Sequence, residues 1–379
     1  MRVAVAAHLL EYPRAARSGV GTYVRNLVRA LPAAAPADQF DVFWGRLGAQ
    51  QPGDVPDLPN VRNHFTRLPL GSRAIRVPYD HVGLPLAVRK SAPALLHLPD
   101  PAVSVLSPGC PTVVTVQDLT TVLHAETYGV RRARYKSAVI RGAVRRAAMV
   151  IAASEATRRD AVNLLDVDPA RVVTVPHGVA PEFRPGASNA EVRARLGLPE
   201  HFLISVGRLD PRKNLRRLFE AYALARRVHG VTAPLCVVGE PGWLYDEILA
   251  APARLGIAGH VTFTSYLPVA DLVALYGAAD ALLYPTLYEG FGLPVLEAMA
   301  CGAPVITSNG SSLPEVAGEA ALLVDPLDTT ALAAAIGRVT GDAGLRAQLR
   351  GAGLERAALF GWDRTARATL TVYERALGS

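Results

Sequence analysis

The sequence predicts two consecutive α/β domains, each a doubly wound parallel sheet with helices on both faces. Short runs rich in Val, Leu and Ala alternate with helical patterns, as expected for strands buried on both sides. A turn-rich segment at residues 176–186 interrupts this alternation, and the pattern then starts again. A chain of 379 residues is long enough for two domains that each bury a core.

The predicted strands of the first half are residues 2–7, 40–44, 94–98, 112–116, 149–153 and 172–175, with a first helix near 21–31. Those of the second half are 201–206, 235–238, 261–264, 281–284, 304–307 and 321–324. The predicted domains are residues 1–183 and 184–360. Ligands of such sheets bind beyond the carboxyl ends of the strands, so we expect a site in the cleft between the domains.

Composition limits where the protein works. Half of the residues are apolar and 19% are charged, which indicates a globular protein rather than a disordered one. The three cysteines are widely spaced and odd in number, which favours a reduced, cytoplasmic protein. No apolar run approaches the roughly 18 residues of a membrane span, and the first run is too short for a signal peptide. We therefore expect a cytoplasmic protein, peripheral at a membrane at most.

The positive charge is concentrated in the first half of the chain. Residues 1–185 carry 23 Lys and Arg against 14 Asp and Glu, whereas the remainder carries 17 against 19. Seven of these cations lie on a predicted helix at 131–146. They are either a solvated helix face or a surface that attracts an anionic acceptor or an anionic membrane. Nucleic acid is not expected as a partner, because Tyr128 and Tyr135 are the only aromatic residues of the basic run at positions for base stacking.

The stretch at 289–297, Glu-Gly-Phe-Gly-Leu-Pro-Val-Leu-Glu, carries the strongest functional signal. It follows a buried strand, and Pro294 suits the first turn of a helix. Free N–H groups at a helix start bind anions, and glycines allow a phosphate to come close. Glu289 and Glu297 flank this turn and can accept hydrogen bonds from sugar hydroxyls. The alternative is a loop acid and a helix-surface acid without a ligand.

Two cations, Arg208 and Lys213, follow the strand at 201–206, with Gly207 at the turn. Arginine offers a planar fork for phosphate oxygens and lysine a compact charge, so together they suit a diphosphate. The alternative is a pair of surface cations at the start of a helix.

Together with these motifs, others along most of the chain resemble glycosyltransferase family 4, the retaining nucleotide-sugar enzymes of the GT-B superfamily. They are Ser18-Gly19-Val20-Gly21, Val206-Gly207-Arg208-Leu209-Asp210-Pro211-Arg212-Lys213-Asn214, Tyr284-Pro285-Thr286-Leu287-Tyr288, Ser308-Asn309-Gly310-Ser311-Ser312-Leu313-Pro314-Glu315-Val316 and Phe360-Gly361-Trp362. The resemblance implies a GT-B fold of two Rossmann-like domains, the first binding the acceptor and the second the nucleotide sugar. It also implies that a last helix, within 361–379, crosses back to the first domain.

The resemblance further implies roles for the donor-site residues. Arg208 and Lys213 would bind the pyrophosphate, Glu297 the ribose hydroxyls, and Glu289 the donor sugar. The main-chain N–H groups of Phe291, Gly292 and Leu293 would meet the phosphates or the sugar. Neither glutamate needs to act as a nucleophile.

Gly19 and Gly21 form a turn between the first strand and the first helix, which can approach a phosphate or an acceptor closely. Val24 occupies the third glycine position of a dinucleotide fingerprint, so a nicotinamide cofactor is not expected.

Gln117 and Asp118 follow the strand at 112–116, at the position expected to face the cleft. Relatives commonly have His-Asp here, so a titrating histidine role cannot be transferred to Gln117. Its amide can still orient a hydroxyl. Asp118 is either an acceptor-side hydrogen-bond partner or a turn acid.

Asp166 and Asp168 have an acid-x-acid spacing, but Pro169 favours a turn over a metal site. We expect no metal and no cofactor beyond the sugar nucleotide.

The sequence as a whole predicts a retaining hexosyltransferase using a nucleotide-diphosphate sugar, with GDP-mannose as first choice and UDP-hexoses open. The acceptor would be a glycan, lipid-linked or natural-product hydroxyl. Two alternatives are a sugar-nucleotide epimerase of the same fold and a catalytically silent sugar-nucleotide-binding subunit.

Overall fold

The structure is a computed structural model that describes residues 1–46, 54–101, 106–123, 130–242 and 244–378. The chain forms two compact units. Unit 1 contains residues 1–178 and 361–379, and unit 2 contains residues 179–360. The change of unit at residue 178 lies within the turn-rich segment, a few residues before the boundary predicted at 183. In the described part of the chain, no helix is both long enough and apolar enough to cross a membrane.

Unit 1 contains a parallel sheet that has seven strands in the described residues, in the order β3-β2-β1-β4-β5-β6-β7. The strands are β1 (Arg2–Ala6), β2 (Gln39–Trp44), β3 (Val61–Phe65), β4 (Leu95–Leu98), β5 (Thr112–Val116), β6 (Met149–Ala152) and β7 (Val172–Thr174). The α-helices that lie between these strands are α1 (Pro13–Ala16), α2 (Gly19–Ala34), α3 (Arg73–Pro78), α4 (Leu84–Ser91), α5 (Thr120–Leu123), α6 (Val130–Arg146) and α7 (Glu155–Leu165).

Unit 2 contains a second parallel sheet, with six strands among the residues that the structure describes, in the order β10-β9-β8-β11-β12-β13. These are β8 (Leu203–Val206), β9 (Leu235–Val238), β10 (Val261–Thr264), β11 (Ala281–Tyr284), β12 (Val305–Ser308) and β13 (Leu322–Val324). Its helices are α8 (Ala190–Leu196), α9 (Leu215–His229), α10 (Tyr245–Arg254), α11 (Val269–Ala278), α12 (Leu293–Ala300), α13 (Leu313–Ala317), α14 (Thr329–Gly341) and α15 (Ala343–Ala357).

The last helix, α16 (Trp362–Leu377), belongs to unit 1 and packs against α2. Trp362, Ala366 and Tyr373 share one helical face and are buried in the same core as the apolar face of α2. The hydroxyl of Tyr373 also bonds to His97 Nδ1 at 2.6 Å.

Each sheet is buried on both faces because alternate strand residues point to opposite layers. In β1, Val3 and Val5 enter one core, whereas Ala4 and Ala6 enter the other. The predicted parallel, doubly wound sheets are therefore confirmed, and so are the twelve predicted strands, to within about two residues. One prediction was incomplete: β3, at the edge of the first sheet, was missed.

Candidate functional site

The strongest candidate site lies in unit 2, where neighbouring strands β8 and β11 end. The strand order of this sheet reverses between these two strands, and open α/β sheets bind ligands at such a point. The chain after β8 turns at Gly207 and forms a short 3-10 helix at Pro211–Lys213. The chain after β11 runs through Pro285 to Glu289 and then enters α12.

A buried cluster of charges joins the two loops. The Lys213 ammonium donates to Glu289 Oε1 at 2.6 Å, and the Arg212 guanidinium lies 2.7 Å from the same oxygen. Arg212 also donates to the carbonyl of Tyr288 at 2.6 Å. The Lys213 side chain is 9% exposed and that of Glu289 11%. The structure thus joins two residues that the sequence predicts for the site and adds Arg212, which the sequence analysis left without a role.

The two cations decide the ionisation of Glu289. Burial by itself disfavours the charged carboxylate, but the charges of Arg212 and Lys213 and their hydrogen bonds outweigh it and lower its pKa to about 2. Glu289 is therefore a carboxylate at neutral pH. Because a group of so low a pKa is a weak base, Glu289 is poorly suited to remove a proton from an acceptor.

Gly207 leaves the space that the Lys213 side chain occupies. Its φ angle is +148°, and a Cβ atom there would lie 3.1 Å from Lys213 Cε. Gly239, after β9, permits the same close packing, because a Cβ atom at Gly239 would lie 2.0 Å from the carbonyl oxygen of Gly207. Glycine at both positions therefore keeps the turn after β8 close to its neighbours.

The segment before α13 fixes the backbone of Glu289. Its amide donates to Ser311 Oγ at 3.0 Å, and the Ser312 hydroxyl donates to its carbonyl at 2.9 Å. Asn214 donates to the carbonyl of Pro285 at 3.0 Å and so holds the two loops together. Glu289 is thus held through its backbone as well as its carboxylate.

Helix α12 begins shortly after Glu289 in the chain. Gly292 has a φ angle of +105° and occupies the N-cap position, where a Cβ atom would lie 2.6 Å from Leu313 Cδ2. The side chains of Phe291 and Leu293 are buried, with the Phe291 ring packed edge-on against Phe360. Because these side chains are buried within unit 2, only the backbone of Phe291 and Leu293 is suited to meet a ligand.

Glu297 has a different environment from Glu289. It lies one turn into α12, partly exposed, and the Tyr276 hydroxyl is 3.5 Å from its Oε2 atom, a long hydrogen bond. Burial raises the pKa of Glu297 to about 7, and the bond from Tyr276 opposes this shift only in part. The two glutamates that look equivalent in the sequence therefore differ in charge near neutral pH.

Arg208 differs from Lys213 in exposure. Its side chain is exposed, and among the described residues no side-chain hydrogen bond or ion pair is found for it. A small depression beside Lys213 is lined by Ser205, Val206, Gly207, Lys213, Leu215, Tyr284 and Thr286. The Thr286 hydroxyl is buried there without a hydrogen-bond partner in the described part of the chain.

The predicted glycine turn lies at the start of α2 in unit 1. Ser18 caps the helix, accepting from the Gly21 amide at 3.4 Å, and Gly19 is exposed at the first helical position. A Cβ atom at Gly21 would lie 2.3 Å from the carbonyl oxygen of Ala15. Close packing therefore accounts for the glycine at position 21, and the donor-binding role of Gly19 and Gly21 stays a prediction.

Gln117 is held after β5 by both ends of its amide. It donates to the carbonyl of Pro99 at 3.0 Å, and its oxygen lies 2.8 Å from His177 Nε2. His177 is buried against Tyr23, and burial lowers the pKa of His177 to about 3, so the ring is neutral and Nε2 donates. These two contacts use one N–H and one lone pair of the Gln117 amide, and within the described residues the others have no hydrogen-bond partner.

Asp118 takes the turn position that was one of its two predicted alternatives. Its Oδ1 atom accepts from the Thr120 amide at 2.9 Å, ahead of α5. The other predicted alternative, a hydrogen bond from the acceptor, would use the second carboxylate oxygen of Asp118 and stays a prediction. Asp100, which the sequence analysis did not select, is exposed just after the neighbouring strand β4.

Asp166 and Asp168 lie in the turn between α7 and β7. Asp166 is the left-handed C-cap of α7, and Asp168 accepts from the Ala170 amide at 2.9 Å. Within the described residues no group of three or more His, Cys, Asp or Glu is placed to hold a metal ion.

The basic segment predicted at 131–146 forms helix α6. The side chains of Arg134, Lys136 and Arg145 are exposed, and Tyr135 is 40% exposed with Arg73 stacked on its ring. The side chains of Arg131 and Arg132 lie outside the described part of the structure. Several cations of α6 therefore face solvent.

Comparison with known proteins identifies the family. Residues 17–183 match the family model described as Glycosyltransferase Family 4, and residues 189–356 match the one described as Glycosyl transferases group 1. The chain is 30% identical to O-antigen chain mannosyltransferase B of Escherichia coli, over 99% of this chain and all of that protein. The chain is a family 4 glycosyltransferase.

Another relative agrees with this assignment, and solved structures share the fold. This glycosyltransferase is 39% identical to a D-inositol 3-phosphate glycosyltransferase of Acidothermus cellulolyticus, over 58% of this chain and 51% of that one. Sucrose-phosphate synthase of Thermosynechococcus elongatus superposes with a TM-score of 0.76 at 23% identity, covering 100% and 99% of the two chains. Anabaena HepE in complex with UDP and glucose superposes with a TM-score of 0.75 at 18% identity, covering 99% and 100%. The GT-B fold implied by the sequence is thus confirmed.

Proposed function

We propose that this glycosyltransferase moves a hexosyl unit from a nucleotide-diphosphate sugar to a hydroxyl group and retains the anomeric configuration. GDP-mannose is the first donor to test, because a full-length relative is named as a mannosyltransferase. UDP-hexoses come second, because a solved structure of similar fold holds UDP and glucose. The acceptor is a hydroxyl of a glycan, a lipid-linked sugar or a natural product.

The joined charges of Lys213, Arg212 and Glu289 carry this proposal. They occupy the carboxyl ends of β8 and β11, beside the N-terminus of α12, where the positive end of the helix dipole also favours an anion. A diphosphate that gains charge as the glycosidic bond breaks is stabilised by such cations. In enzymes each preorganised donor of this kind contributes roughly 10²–10³ in rate.

The donor-site residues have different roles in this proposal. Lys213 and the exposed Arg208 neutralise the diphosphate, aided by the backbone at Phe291, Gly292 and Leu293, so no metal ion is needed. Glu297 accepts hydrogen bonds from the ribose hydroxyls. Glu289 orients the donor sugar. These roles follow the sequence resemblance and agree with the burial and charge of each side chain.

The low pKa of Glu289 supports a front-face reaction. The acceptor hydroxyl attacks the anomeric carbon from the face that the diphosphate leaves, and the sugar–phosphate bond breaks. A non-bridging oxygen of the leaving diphosphate takes the acceptor proton, so the enzyme supplies no general base at this step. Glu289 stays an anion throughout, and neither glutamate forms a bond to the sugar.

We assign the acceptor to unit 1, beyond the ends of β4 and β5. The remaining N–H and lone pair of Gln117 and the second oxygen of Asp118 can orient a hydroxyl there. His177 holds Gln117 and stays neutral, so no ionisation at position 117 controls the rate near pH 7.

We also propose that α6 draws the enzyme to anionic membranes. Each exposed cation near such a surface contributes about 1 kcal/mol, screened over roughly 8–10 Å. The protein should sediment with anionic vesicles at low salt. A triple variant carrying Arg134→Glu, Lys136→Glu and Arg145→Glu should no longer sediment with them. Sedimentation of the triple variant equal to that of the starting protein would contradict a role for α6.

The test of the proposed function is a donor-by-acceptor panel. Thermal shift with GDP and UDP hexoses selects the donor, since a ligand at 100 times its Kd stabilises by about 2.7 kcal/mol. Transfer to acceptor hydroxyls is then assayed with excess chelator present, and the product anomer is read by proton NMR. We expect acceptor-dependent transfer with retention that survives chelation.

The other outcomes are informative. Donor conversion without an acceptor would indicate an epimerase, and donor binding without turnover a silent subunit. Activity that chelation abolishes and Mn²⁺ or Mg²⁺ restores would overturn metal independence and direct attention back to Asp166 and Asp168.

A further inference from the structure

A second side chain besides Glu289 contacts the Lys213 ammonium. The hydroxyl oxygen of Tyr284 accepts from Lys213 Nζ at 2.5 Å, and Nζ also lies 4.7 Å from the centre of the Tyr284 ring. Tyr284 is the last residue of β11 and is 2% exposed. The Thr307 hydroxyl donates to its carbonyl at 3.0 Å and ties it to β12. The tyrosine is therefore a rigid point in the sheet, beside the long side chain of Lys213.

The ammonium is confined by three neighbours. Tyr284 lies on one side, the Glu289 carboxylate contacts it at 2.6 Å, and the turn at Gly207 lies against the Lys213 stem. A lysine side chain has substantial rotamer freedom, and a phosphate contact must otherwise meet the cost of losing it. Contacts that restrict the ammonium before the ligand arrives reduce that cost.

We propose that Tyr284 is a positioning residue for the donor diphosphate, holding the Lys213 ammonium in the place from which it binds the phosphates. This inference rests on the proposed function and deepens it. A tyrosine hydroxyl accepts and donates at once, so Tyr284 accepts from Lys213 while its proton is available to Glu289. When the Lys213 ammonium contacts the diphosphate, the Tyr284 hydroxyl continues to donate to the buried carboxylate of Glu289.

The ring of Tyr284 makes the experiment selective. Tyr284→Phe removes the hydroxyl but keeps the ring packing and the cation–π contact. A lost hydrogen bond to a charged group corresponds to roughly 10-fold in affinity. We expect Tyr284→Phe to weaken the binding of GDP by about 10-fold and the binding of GMP by less than about 2-fold. Calorimetric titration measures both affinities, with UDP and UMP used instead if the panel selects a uridine donor.

Two controls separate positioning from packing. Tyr222 lies on α9, and its buried hydroxyl donates to the carbonyl of Ala233 at 2.8 Å. Tyr222→Phe removes this hydroxyl and should leave the affinities for GDP and GMP unchanged. In a Lys213→Met background, Tyr284→Phe should have no further effect on GDP binding, because the group that it positions is gone.

Three results would overturn the inference. Tyr284→Phe binding GDP as tightly as the starting protein would remove the role of Tyr284 while leaving the proposed function intact. An undiminished effect of Tyr284→Phe in the Lys213→Met background would mean that the Tyr284 hydroxyl acts independently of Lys213. Failure of the starting protein to bind any nucleoside diphosphate would remove the proposed function, and this inference with it.

Discussion

At the scale of single residues, the unequal environments of Glu289 and Glu297 matter most. Glu289 is buried between two cations, whereas Glu297 is partly exposed and lies beside a tyrosine. A buried carboxylate with hydrogen-bonded cations keeps its charge, whereas one without them takes up a proton more readily. The spacing in the sequence predicts that the two acids are close to a ligand, but not that their protonation differs.

The first prediction concerns Gly207. Gly207→Ala places a methyl group 3.1 Å from Lys213 Cε at a φ of +148°, which L residues rarely adopt. The lysine must move, so we expect kcat/KM for the donor to fall roughly 10- to 100-fold. Gly197→Ala is the matched control, because Gly197 also has a positive φ, +64°, but a Cβ atom there meets open space. Equal activity of the two variants would contradict this account.

The second prediction concerns the pH dependence of stability. The pKa of Glu297 in the folded protein, about 7, lies above its ordinary value of 4.5. Its contribution to stability is therefore complete below pH 4.5 and is lost as the pH rises through 7. Glu297→Gln removes the ionisable group, and with it the loss of stability on raising the pH.

Unfolding by urea at two pH values checks this second prediction. The stability of Glu297→Gln relative to the starting protein should rise by on the order of 1–3 kcal/mol between pH 5 and pH 8. The starting protein, unfolded at the same two pH values, supplies the reference for this difference. A pH-independent difference for Glu297→Gln would show that its carboxyl group ionises normally.

Residues that act through tertiary contacts are the ones the sequence did not reveal. Arg212 stands beside Lys213 in the quoted motif, but only the folded loops show that its guanidinium reaches Glu289. His177 belongs to a turn-rich segment in the sequence and becomes the buried partner of Gln117 in the fold. Such pairs are separated by 60 or more positions, so local patterns carry no sign of them.

At the scale of elements, buried strands and capped helices were predictable and an edge strand was not. β3 reads Val-Arg-Asn-His-Phe, and none of its residues is fully buried. Strands at a sheet edge bury little, so their hydrophobic pattern is weak. The start of α12 was predictable because Gly292 and Pro294 each suit one position of a helix N-terminus.

The third prediction concerns α16. Tyr373 is fully buried and bonded to His97, whereas Leu377, near the end of the same helix, is 37% exposed. Tyr373→Ala removes a core ring and leaves a buried histidine nitrogen without its partner, so we expect a loss of about 3–5 kcal/mol. Leu377→Ala should cost less than about 1 kcal/mol. Urea midpoints that differ little between the two variants would show that α16 adds little to the core of unit 1.

At the scale of the whole molecule, repetition of one sheet plan predicts the position of the site. In the described part of both sheets the first strand of the unit is third from one edge, and the strand order reverses beside it. The alternation of strands and helices predicts doubly wound sheets, whereas the strand order is seen only in the fold. The reversal point in unit 2 is where Lys213 and Glu289 meet. The sugar and the acceptor depend on side chains from many loops, and no local pattern in the chain encodes them.

The most direct test of the account is the kinetic comparison of Glu289→Gln and Glu297→Gln with the selected donor. If Glu289 orients the sugar as bonds change, its variant should lose roughly 10²–10³ in kcat with little change in KM. If Glu297 holds the ribose in ground and transition states alike, its variant should raise the donor KM roughly 10-fold and leave kcat within a few-fold. Equal and small effects of both substitutions would contradict the assignment of the donor site to this cluster.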